Sequence, residues 1–301
     1  MIYTVTFNPA IDYVVHLKGN LQPGKINRCA DETYQFGGKG INVAALLRNL
    51  GYDAIALGFI AGETGSWLQK GLRSMNILTD FISLPSGMTR VNVKVKAGGE
   101  TEINGSGPVI SPADMEKLYT RLDALKSGDV LVLAGSIPAC LANDTYEKIM
   151  ARLAGRSILI AVDATQDLLV NVLRYRPFLI KPNNHELSEI FGRELQTDRE
   201  IAECARKLQE RGARNVLVSM GKDGALLLDE TGKTSRMAAP KCTVRNSVGA
   251  GDSMVAGFLA GWLQTGSYFE ALRLGSAAGS ATAASLGLAT KDEIDAMLAK
   301  L

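Results

Sequence analysis

The chain has 301 residues, 46% of them hydrophobic, and sets 33 Lys and Arg against 31 Asp and Glu for a formal charge of +2. That length holds one large α/β domain or two small ones with a sizeable core. The near-neutral balance argues against a general nucleic-acid surface and leaves room for a local basic pocket. No apolar run is long enough to span a bilayer, and residues 1–5 carry neither a basic stretch nor a cleavage pattern, so no membrane partner is expected. Cys29, Cys140, Cys204 and Cys242 are scattered with no C-x-x-C pair, and read as packing residues in a reducing, cytoplasmic setting. With only His16 and His185 in the chain, neither a zinc site nor a Ser-His-Asp triad is expected.

In chain order, residues 2–7 read as a buried first strand that Asn8-Pro9 brings to an end, and residues 13–17 as a short apolar run before a turn at Gly19-Asn20. Tyr34-Gln35-Phe36 leads into Gly37-Gly38-Lys39-Gly40. Ile41, Val43, Ala44, Leu46 and Leu47 then recur at helical spacing until Gly51. This glycine run is not a Walker A loop, because no Ser or Thr follows Lys39, and not a dinucleotide fingerprint, because Val43 stands where the third glycine belongs. A strand over 54–60, a helix over 65–75 and a short strand at 81–82 follow. Residues 90–96 then alternate strictly, with Val91, Val93 and Val95 on one face and Arg90, Asn92, Lys94 and Lys96 on the other. This predicts a half-buried antiparallel strand, with 101–104 pairing back across Gly98-Gly99.

From Ser111 onward helices alternate with continuous apolar strands. Helices are expected over 115–125, 146–153, 186–191 and 201–211, and strands over 130–134, 158–162, 178–180, 216–218 and 225–228. Further helices follow Asp252, Phe269 and Asp292. This pattern predicts a mostly parallel sheet covered by helices on both faces, a three-layer αβα arrangement. Two segments, about 12–35 and 87–106, do not fit that sheet. They read as a small antiparallel sheet inserted into a single domain spanning 1–301. Its valine face needs cover, from the domain or from a second copy of the chain, and its polar face, carrying Arg90, looks down on the glycine-rich turns.

The stretch with the most chemical content is Ser247-Val248-Gly249-Ala250-Gly251-Asp252-Ser253. Residues 241–244 read as the end of an extended segment, and Met254, Val255, Phe258, Leu259, Trp262 and Leu263 predict a helix beginning near Asp252. Two glycines leave no side chains in the way of an approaching anion, and the first amides of a helix lack intrahelical partners. A carboxylate at the rim of such an anion site repels its ligand unless a proton acceptor is needed beside a phosphate under attack. Phosphoryl transfer to a hydroxyl needs that pairing. The plain alternative is an N-capping Asp before a buried helix. The helix N-terminus is expected to hold the Asp252 pKa down.

In an open parallel sheet, ligands bind beyond the carboxyl ends of the strands. The residues after each predicted strand are Asn8 and Asp12; Gly135-Ser136; Asp163; Lys181, Asn183 and Glu186; Ser219 and Gly221; and the turn from Gly249 to Asp252. Asp163 also suits a turn cap, and Lys181-Pro182-Asn183 an ordinary loop. The joint gathering at one sheet edge points to a site. Lys39 and Arg90 would give it two cations, which suit a phosphorylated sugar better than a neutral one.

These residues carry a resemblance to a family. Thr6-Phe7-Asn8-Pro9-Ala10-Ile11-Asp12, the run from Gly37 to Ala44, Thr101-Glu102-Ile103-Asn104-Gly105, Gly135-Ser136-Ile137-Pro138, the run from Lys181 to Glu186, and Val248 to Ser253 occur in this order. Together they resemble the ribokinase-like (PfkB) carbohydrate kinases across essentially the whole chain. Within that family the sequence is most similar to the bacterial kinases of fructose 1-phosphate, with the tagatose 6-phosphate kinases close by.

The resemblance implies a ribokinase-like fold with a β-sheet lid and ATP-dependent phosphorylation of fructose 1-phosphate at the 6-hydroxyl, giving fructose 1,6-bisphosphate. Tagatose 6-phosphate and fructose 6-phosphate are the alternative acceptors. It implies Asp252 as the base and the amides of Gly249, Ala250 and Gly251 as the anion hole. Asp12, Gly37, Gly38 and Asn42 would sit at the sugar, and Lys39, Arg90 and Ser136 near its phosphate. Asn183 and Glu186 would organise Mg2+, largely through water, with Lys181 at the nucleotide phosphates. Ser219, Gly221, Gly224, Ser247 and Val248 would line the ATP site, with the small-residue helix over 275–284 beside adenine. A homodimer through the lid is implied, with Lys25 or Arg28 reaching the partner's substrate. A K+ requirement is left open. Outside the kinase class stand a phosphosugar sensor, which has no need of Asp252, and a nucleotide-binding structural subunit, which leaves the sugar-side residues unexplained.

Overall fold

The computed structural model describes residues 1–301, the side chain of Gln166 excepted. In chain order the elements are β1 (Ile2–Thr6), β2 (Ala10–Leu17), β3 (Cys29–Gly37), α1 (Lys39–Asn49), β4 (Ala54–Ile60), α2 (Gly62–Ser74), β5 (Leu78–Ser83), β6 (Arg90–Lys96) and β7 (Glu100–Ile103). There follow α3 (Pro112–Asp123), β8 (Val130–Ala134), α4 (Thr145–Leu153), β9 (Leu159–Asp163), α5 (Gln166–Asn171), β10 (Leu179–Ile180), α6 (Asn184–Phe191) and α7 (Asp198–Glu210). The chain ends with β11 (Asn215–Ser219), β12 (Ala225–Leu228), β13 (Thr234–Met237), α8 (Ala250–Thr265), α9 (Tyr268–Ala284) and α10 (Lys291–Leu298).

The large sheet runs β13-β12-β11-β10-β9-β8-β1-β4-β5. It is parallel from β11 to β5, and β12 and β13 add to it antiparallel. Strands buried on both faces alternate between two cores. In β8, Val130, Val132 and Ala134 pack with α1, α2, α8, α9 and α10 residues such as Leu46, Leu72, Phe258, Leu272 and Ile294. Leu131 and Leu133 point the other way, toward Leu118, Ile149, Leu169, Leu187 and Leu208 of α3 to α7. This is the three-layer αβα arrangement expected from the strand composition.

α8 and α9 lie backbone against backbone. A Cβ on Gly257 would stand 2.7 Å from the Leu274 carbonyl oxygen, so a side chain there would force the helices apart and move the start of α8 with them.

The smaller sheet has the order β3-β2-β6-β7. It is not wholly antiparallel as the sequence predicts, because β2 and β6 pair in parallel, with Tyr13 beside Val93. Each of these strands leaves the large domain as the first arm of a hairpin, and β3 and β7 are the returning arms. Two outgoing arms side by side must run the same way. At the base of its apolar face Phe36 lies over Gly71 of α2, and Trp67 packs against Tyr34 and Phe36 with ring centroids 4.8 and 5.7 Å apart. At its two edge strands the face is open, with Ile103 of β7 62% and Tyr34 of β3 51% exposed, while Val15 and Val95 on the central strands are buried.

Three further expectations change. The extended segment before the α8 turn is β13, and 241–244 forms no strand, since Pro240 removes a ladder donor. The short helix α5, lacking a long apolar period, was not expected. Of the four cysteines, all free, only Cys204 is buried, so the packing role holds for that one alone. Among the described residues no helix is long and apolar enough to cross a membrane.

Candidate active site

The carboxyl ends of the strands open onto one polar cavity of about 870 Å³. Its floor is the turn before α8. Gly249 takes a left-handed conformation (φ 80°) and starts the helix with no side-chain cap. The Ala250 amide donates to the Ser247 carbonyl at 3.2 Å, and the Val248 amide to Asn246 Oδ1 at 3.0 Å. The amides of Gly249 and Gly251 have no backbone acceptor among the described residues, so of the three amides in the anion-hole expectation, Ala250 is the one already engaged. The turn is braced by Ser253, whose amide donates to the Gly249 carbonyl at 2.8 Å and whose hydroxyl bonds Thr282 Oγ1 at 2.8 Å.

Asp252, 5% exposed, accepts a 2.7 Å hydrogen bond from Asn42 Nδ2. Its pKa is pushed up to about 6, first by burial and then by the charge of Asp163, against the Asn42 hydrogen bond and the cations Lys39 and Lys181. The expectation of a depressed pKa fails here. The helix terminus is outweighed by desolvation and a second buried carboxylate. Asp252 remains mostly ionised at neutral pH, within reach of a proton transfer.

The glycine-rich start of α1 is fixed by packing against β1. A Cβ at Gly38 (φ 128°) would lie 2.6 Å from Thr6 Cγ2, and one at Gly40 would lie 2.6 Å from Thr6 Oγ1 and 2.7 Å from the Val5 carbonyl oxygen. In place of an N-cap side chain, Thr6 Oγ1 accepts the Ile41 amide at 3.1 Å. This close docking aims Asn42 at Asp252 and Lys39 at Asp163, with Lys39 Nζ 3.2 Å from Asp163 Oδ2. Lys181, 5% exposed, places Nζ 3.3 Å from the other oxygen of the same carboxylate. Asp163 thus caps no turn. Burial works against the Lys39 ammonium, but the charges of Asp163 and Asp252 outweigh it and raise its pKa.

The polar face of the small sheet forms the roof. Arg90 donates through Nε to the Asn8 carbonyl at 3.2 Å, and burial lowers its pKa with Asp12 opposing. Asn92 Nδ2 donates to Asp12 Oδ1 at 2.8 Å while its own Oδ1 accepts the Gly105 amide at 3.2 Å. Lys94 Nζ lies 3.9 Å from Asp12 Oδ2 and 3.6 Å from Glu102 Oε1.

A second, mostly apolar cavity of about 530 Å³ adjoins the first, walled by Ala239, Pro240, Val244, Met254, Gly279 and Ala283 among others. Both cavities are lined by Ser219, Gly221, Lys222, Ser247 and Gly251, so they meet at the α8 turn. Ser276, on the wall of the second, has a buried hydroxyl with no partner. The pair suits a flat heterocycle with a polyphosphate tail, an apolar chamber opening into a polar one.

The fit to a divalent metal is narrower. Asn183 Oδ1 accepts the Glu186 amide and Glu186 Oε2 the Asn183 amide, each at 2.8 Å, a capping box at the start of α6. Glu186 Oε1 is left over. No group of three His, Cys, Asp or Glu among the described residues could hold a metal. These donors suit a hydrated Mg2+ shared with phosphates, not a cage of protein ligands.

Most residues expected at the site converge. Asp12, Gly38, Lys39, Asn42, Arg90, Lys181, Asn183, Glu186, Ser219, Gly221, Ser247, Val248, Gly249, Gly251 and Asp252 line the polar cavity, and Gly224 and Ala250 the apolar one. Gly37 is not on either wall, but a Cβ there would meet Asp12 Oδ2 at 3.4 Å. Ser136 and Arg28 are exposed and line neither cavity. Thr6, Asn92, Lys94 and Glu102 were not singled out. Thr6 was legible as a hydroxyl in an apolar strand, and the other three as the polar side of an alternating hairpin.

Comparison with known proteins gives a family match over nearly the whole chain. Residues 4–295 match the family described as pfkB family carbohydrate kinase. A 1-phosphofructokinase of Bacillus subtilis (strain 168) is 45% identical over 299 residues, covering 99% of this chain and 97% of that protein. A D-tagatose-1-phosphate kinase of Bacillus licheniformis is 39% identical over 296 residues, covering 98% and 96%. The crystal structure of phosphofructokinase-2 from Escherichia coli in complex with fructose-6-phosphate superposes with a TM-score of 0.91 at 29% identity, covering 99% of this chain and 98% of that one.

Proposed function

The chain belongs to the pfkB family of carbohydrate kinases, and from that premise we propose that it transfers the γ-phosphoryl of ATP to the 6-hydroxyl of fructose 1-phosphate, giving fructose 1,6-bisphosphate. The observation that carries this reading is the buried, Asn42-bound Asp252 at the start of α8, facing a cavity that holds Lys39 and Arg90 and opens at Gly251 into an apolar pocket. A sensor of phosphosugars has no use for a carboxylate with a pKa near 6 beside an anion site.

Each residue then has a task. Asp252 accepts the proton of the attacking hydroxyl, and Asn42 fixes its carboxylate. The Gly249 and Gly251 amides receive charge on the transferring phosphoryl, joined by Ala250 when its amide leaves Ser247. Asp12, held by Asn92, binds sugar hydroxyls beside Gly37 and Gly38. Arg90 and Lys39 hold the phosphate already on the sugar, with Ser136 at the margin. Lys181 serves the nucleotide phosphates. Ser219, Gly221, Gly224, Ser247 and Val248 border the nucleotide. Asn183 and Glu186 would hold Mg2+ through water, and the bound metal would supply neutralising charge to the nucleotide's phosphates. The small sheet is the lid of a single kinase domain, and its closure excludes water from the transfer. The open edges of its apolar face, at Tyr34 and Ile103, pair with a second copy, which brings Arg28 toward the partner's site.

The names of the two Bacillus relatives both place the phosphate on carbon 1 of a ketohexose. A second reading, with tagatose 1-phosphate as acceptor, is therefore favoured over the 6-phosphates. ADP release with Mg·ATP, measured for fructose 1-phosphate, tagatose 1-phosphate, fructose 6-phosphate and tagatose 6-phosphate at matched low concentrations, tests this. The proposal expects the highest kcat/KM for fructose 1-phosphate. A preference for either 6-phosphate overturns the acceptor, and binding without turnover of any of the four returns the sensor. Repeating the assay with and without K+ settles the monovalent requirement.

A further inference from the structure

The mechanism above leaves one buried charge of the cavity without a task. Asp163 ends β9, is 2% exposed, and divides its two carboxylate oxygens between two ammonium groups from different elements. Lys39 comes from the start of α1 on the sugar side. Lys181 comes from the end of β10, the strand beside β9, where its amide donates to the Val162 carbonyl at 3.2 Å. The Lys181 ammonium also abuts the α8 turn, since a Cβ on Gly251 would lie 3.2 Å from Nζ. The Asp163 backbone is tied in as well, its carbonyl accepting the Gly135 amide at 3.1 Å.

We propose that Asp163 is a positioning residue that couples the two phosphate-binding lysines, so that the sugar side and the nucleotide side of the site are set by one carboxylate. The two ammonium groups, Lys181 buried and Lys39 part-exposed, repel each other, and an anion between them is the arrangement that holds both near the turn. Because the carboxylate is shared, the two lysines compete for it. Remove the Lys39 ammonium and the freed oxygen turns to Lys181, neutralising the cation that meets the nucleotide. Remove the Lys181 ammonium and Lys39 is drawn off the sugar phosphate in the same way. Asp163 touches no reacting atom and acts only through these partners, and through its field on Asp252, which Lys39, Lys181 and Asn42 oppose.

This inference rests on the kinase reading for the identity of its ligands, so the test measures binding as well as turnover. Equilibrium affinities for a non-hydrolysable ATP analogue with Mg2+ and for fructose 1-phosphate are measured for the wild type, Lys39→Met, Lys181→Met, Asp163→Asn and both double variants. The expected result is a crossed effect. Lys39→Met weakens the nucleotide, and Lys181→Met weakens the phosphosugar, by at least about fivefold each. In the Asp163→Asn background both crossed effects shrink below about twofold, because there is no shared carboxylate left to compete for. Asp163→Asn also moves the acidic limb of kcat/KM downward, since it removes a charge that raises the Asp252 pKa, whereas a merely structural residue would lower stability and leave that limb in place.

If Asp163→Asn does not fold, the two lysine variants decide alone: the absence of either crossed effect overturns the proposal. Crossed effects that persist undiminished in the Asp163→Asn background overturn it too. A wild type that binds both ligands with crossed effects but turns over none of the four phosphosugars overturns the kinase reading and leaves the coupling standing.

Discussion

Two glycine-rich turns lead into helices at this site, and they use glycine for different reasons. At the start of α1 the glycines are required by contact, because Gly38 and Gly40 lie so close to Thr6 and Val5 of β1 that a methyl group would overlap side-chain and backbone atoms. At the start of α8 Gly249 supplies a left-handed turn, and Gly251 leaves space in front of Lys181. The charges are opposite as well. α1 opens with a cation, Lys39, against the sense of the helix dipole, and α8 with a buried carboxylate, Asp252, near free amides. One turn is a rigid mount for side chains that reach into the cavity. The other is itself the reactive surface.

The sharpest way to separate the two is to remove the charge from each. Asp252→Asn keeps the shape and the Asn42 contact but cannot take a proton, so kcat is expected to fall by about 10²–10⁴ while the ATP analogue still binds. Lys39→Met is expected to act mainly on KM for the phosphosugar. Steady-state kinetics on both variants check this. A wild-type kcat in the Asn variant removes Asp252 from the chemistry and makes its turn an ordinary capped helix start.

Next comes backbone against space. Gly40→Ala puts a methyl 2.7 Å from the Val5 carbonyl oxygen, where neither partner is a flexible chain end. It is expected to cost about 3 kcal/mol of stability, as overpacking of a tight core does. Gly251→Ala meets only the ammonium end of Lys181 at 3.2 Å, which can move, so it is expected to cost less than about 1 kcal/mol and to lower kcat instead. Urea unfolding of both proteins, with kcat for the second, measures the contrast. Equal stability losses would mean that the α8 turn is as tightly mounted as α1.

This contrast also shows what the sequence could disclose. Strand ends, helix starts and the polar face of β6 follow from local pattern, so the αβα layers and most of the lining of the cavity were legible. Contacts between distant segments were not. Thr6 capping α1, Lys39 and Lys181 meeting at Asp163, and β2 beside β6 in parallel are decided by which segments the sheet brings together. The Asp252 pKa failed for the same reason, since a helix terminus is visible in the sequence while burial and a second carboxylate arriving from β9 are not.

That buried carboxylate leaves a signature independent of catalysis. The pKa of Asp252 rises from an ordinary 3.8 to about 6 on folding. A group raised in this direction contributes stability that is fully present below its unfolded value and is lost as pH rises through its folded value. Wild-type stability should therefore drop between about pH 4 and pH 7 by an amount that Asp252→Asn does not share, at most about 3 kcal/mol for this shift and about 2 kcal/mol after relaxation of the site. The amide exchange itself adds only a constant offset, and every other titrating group is common to both proteins. Urea unfolding at pH 4.5, 6 and 8 should show the Asn variant gaining on the wild type with pH, most steeply around pH 5, so that most of the gain falls between the first two points and little between the last two. Parallel curves would mean that Asp252 ionises as an ordinary carboxylate, and the α8 turn would then hold its charge as comfortably as the α1 turn holds Lys39.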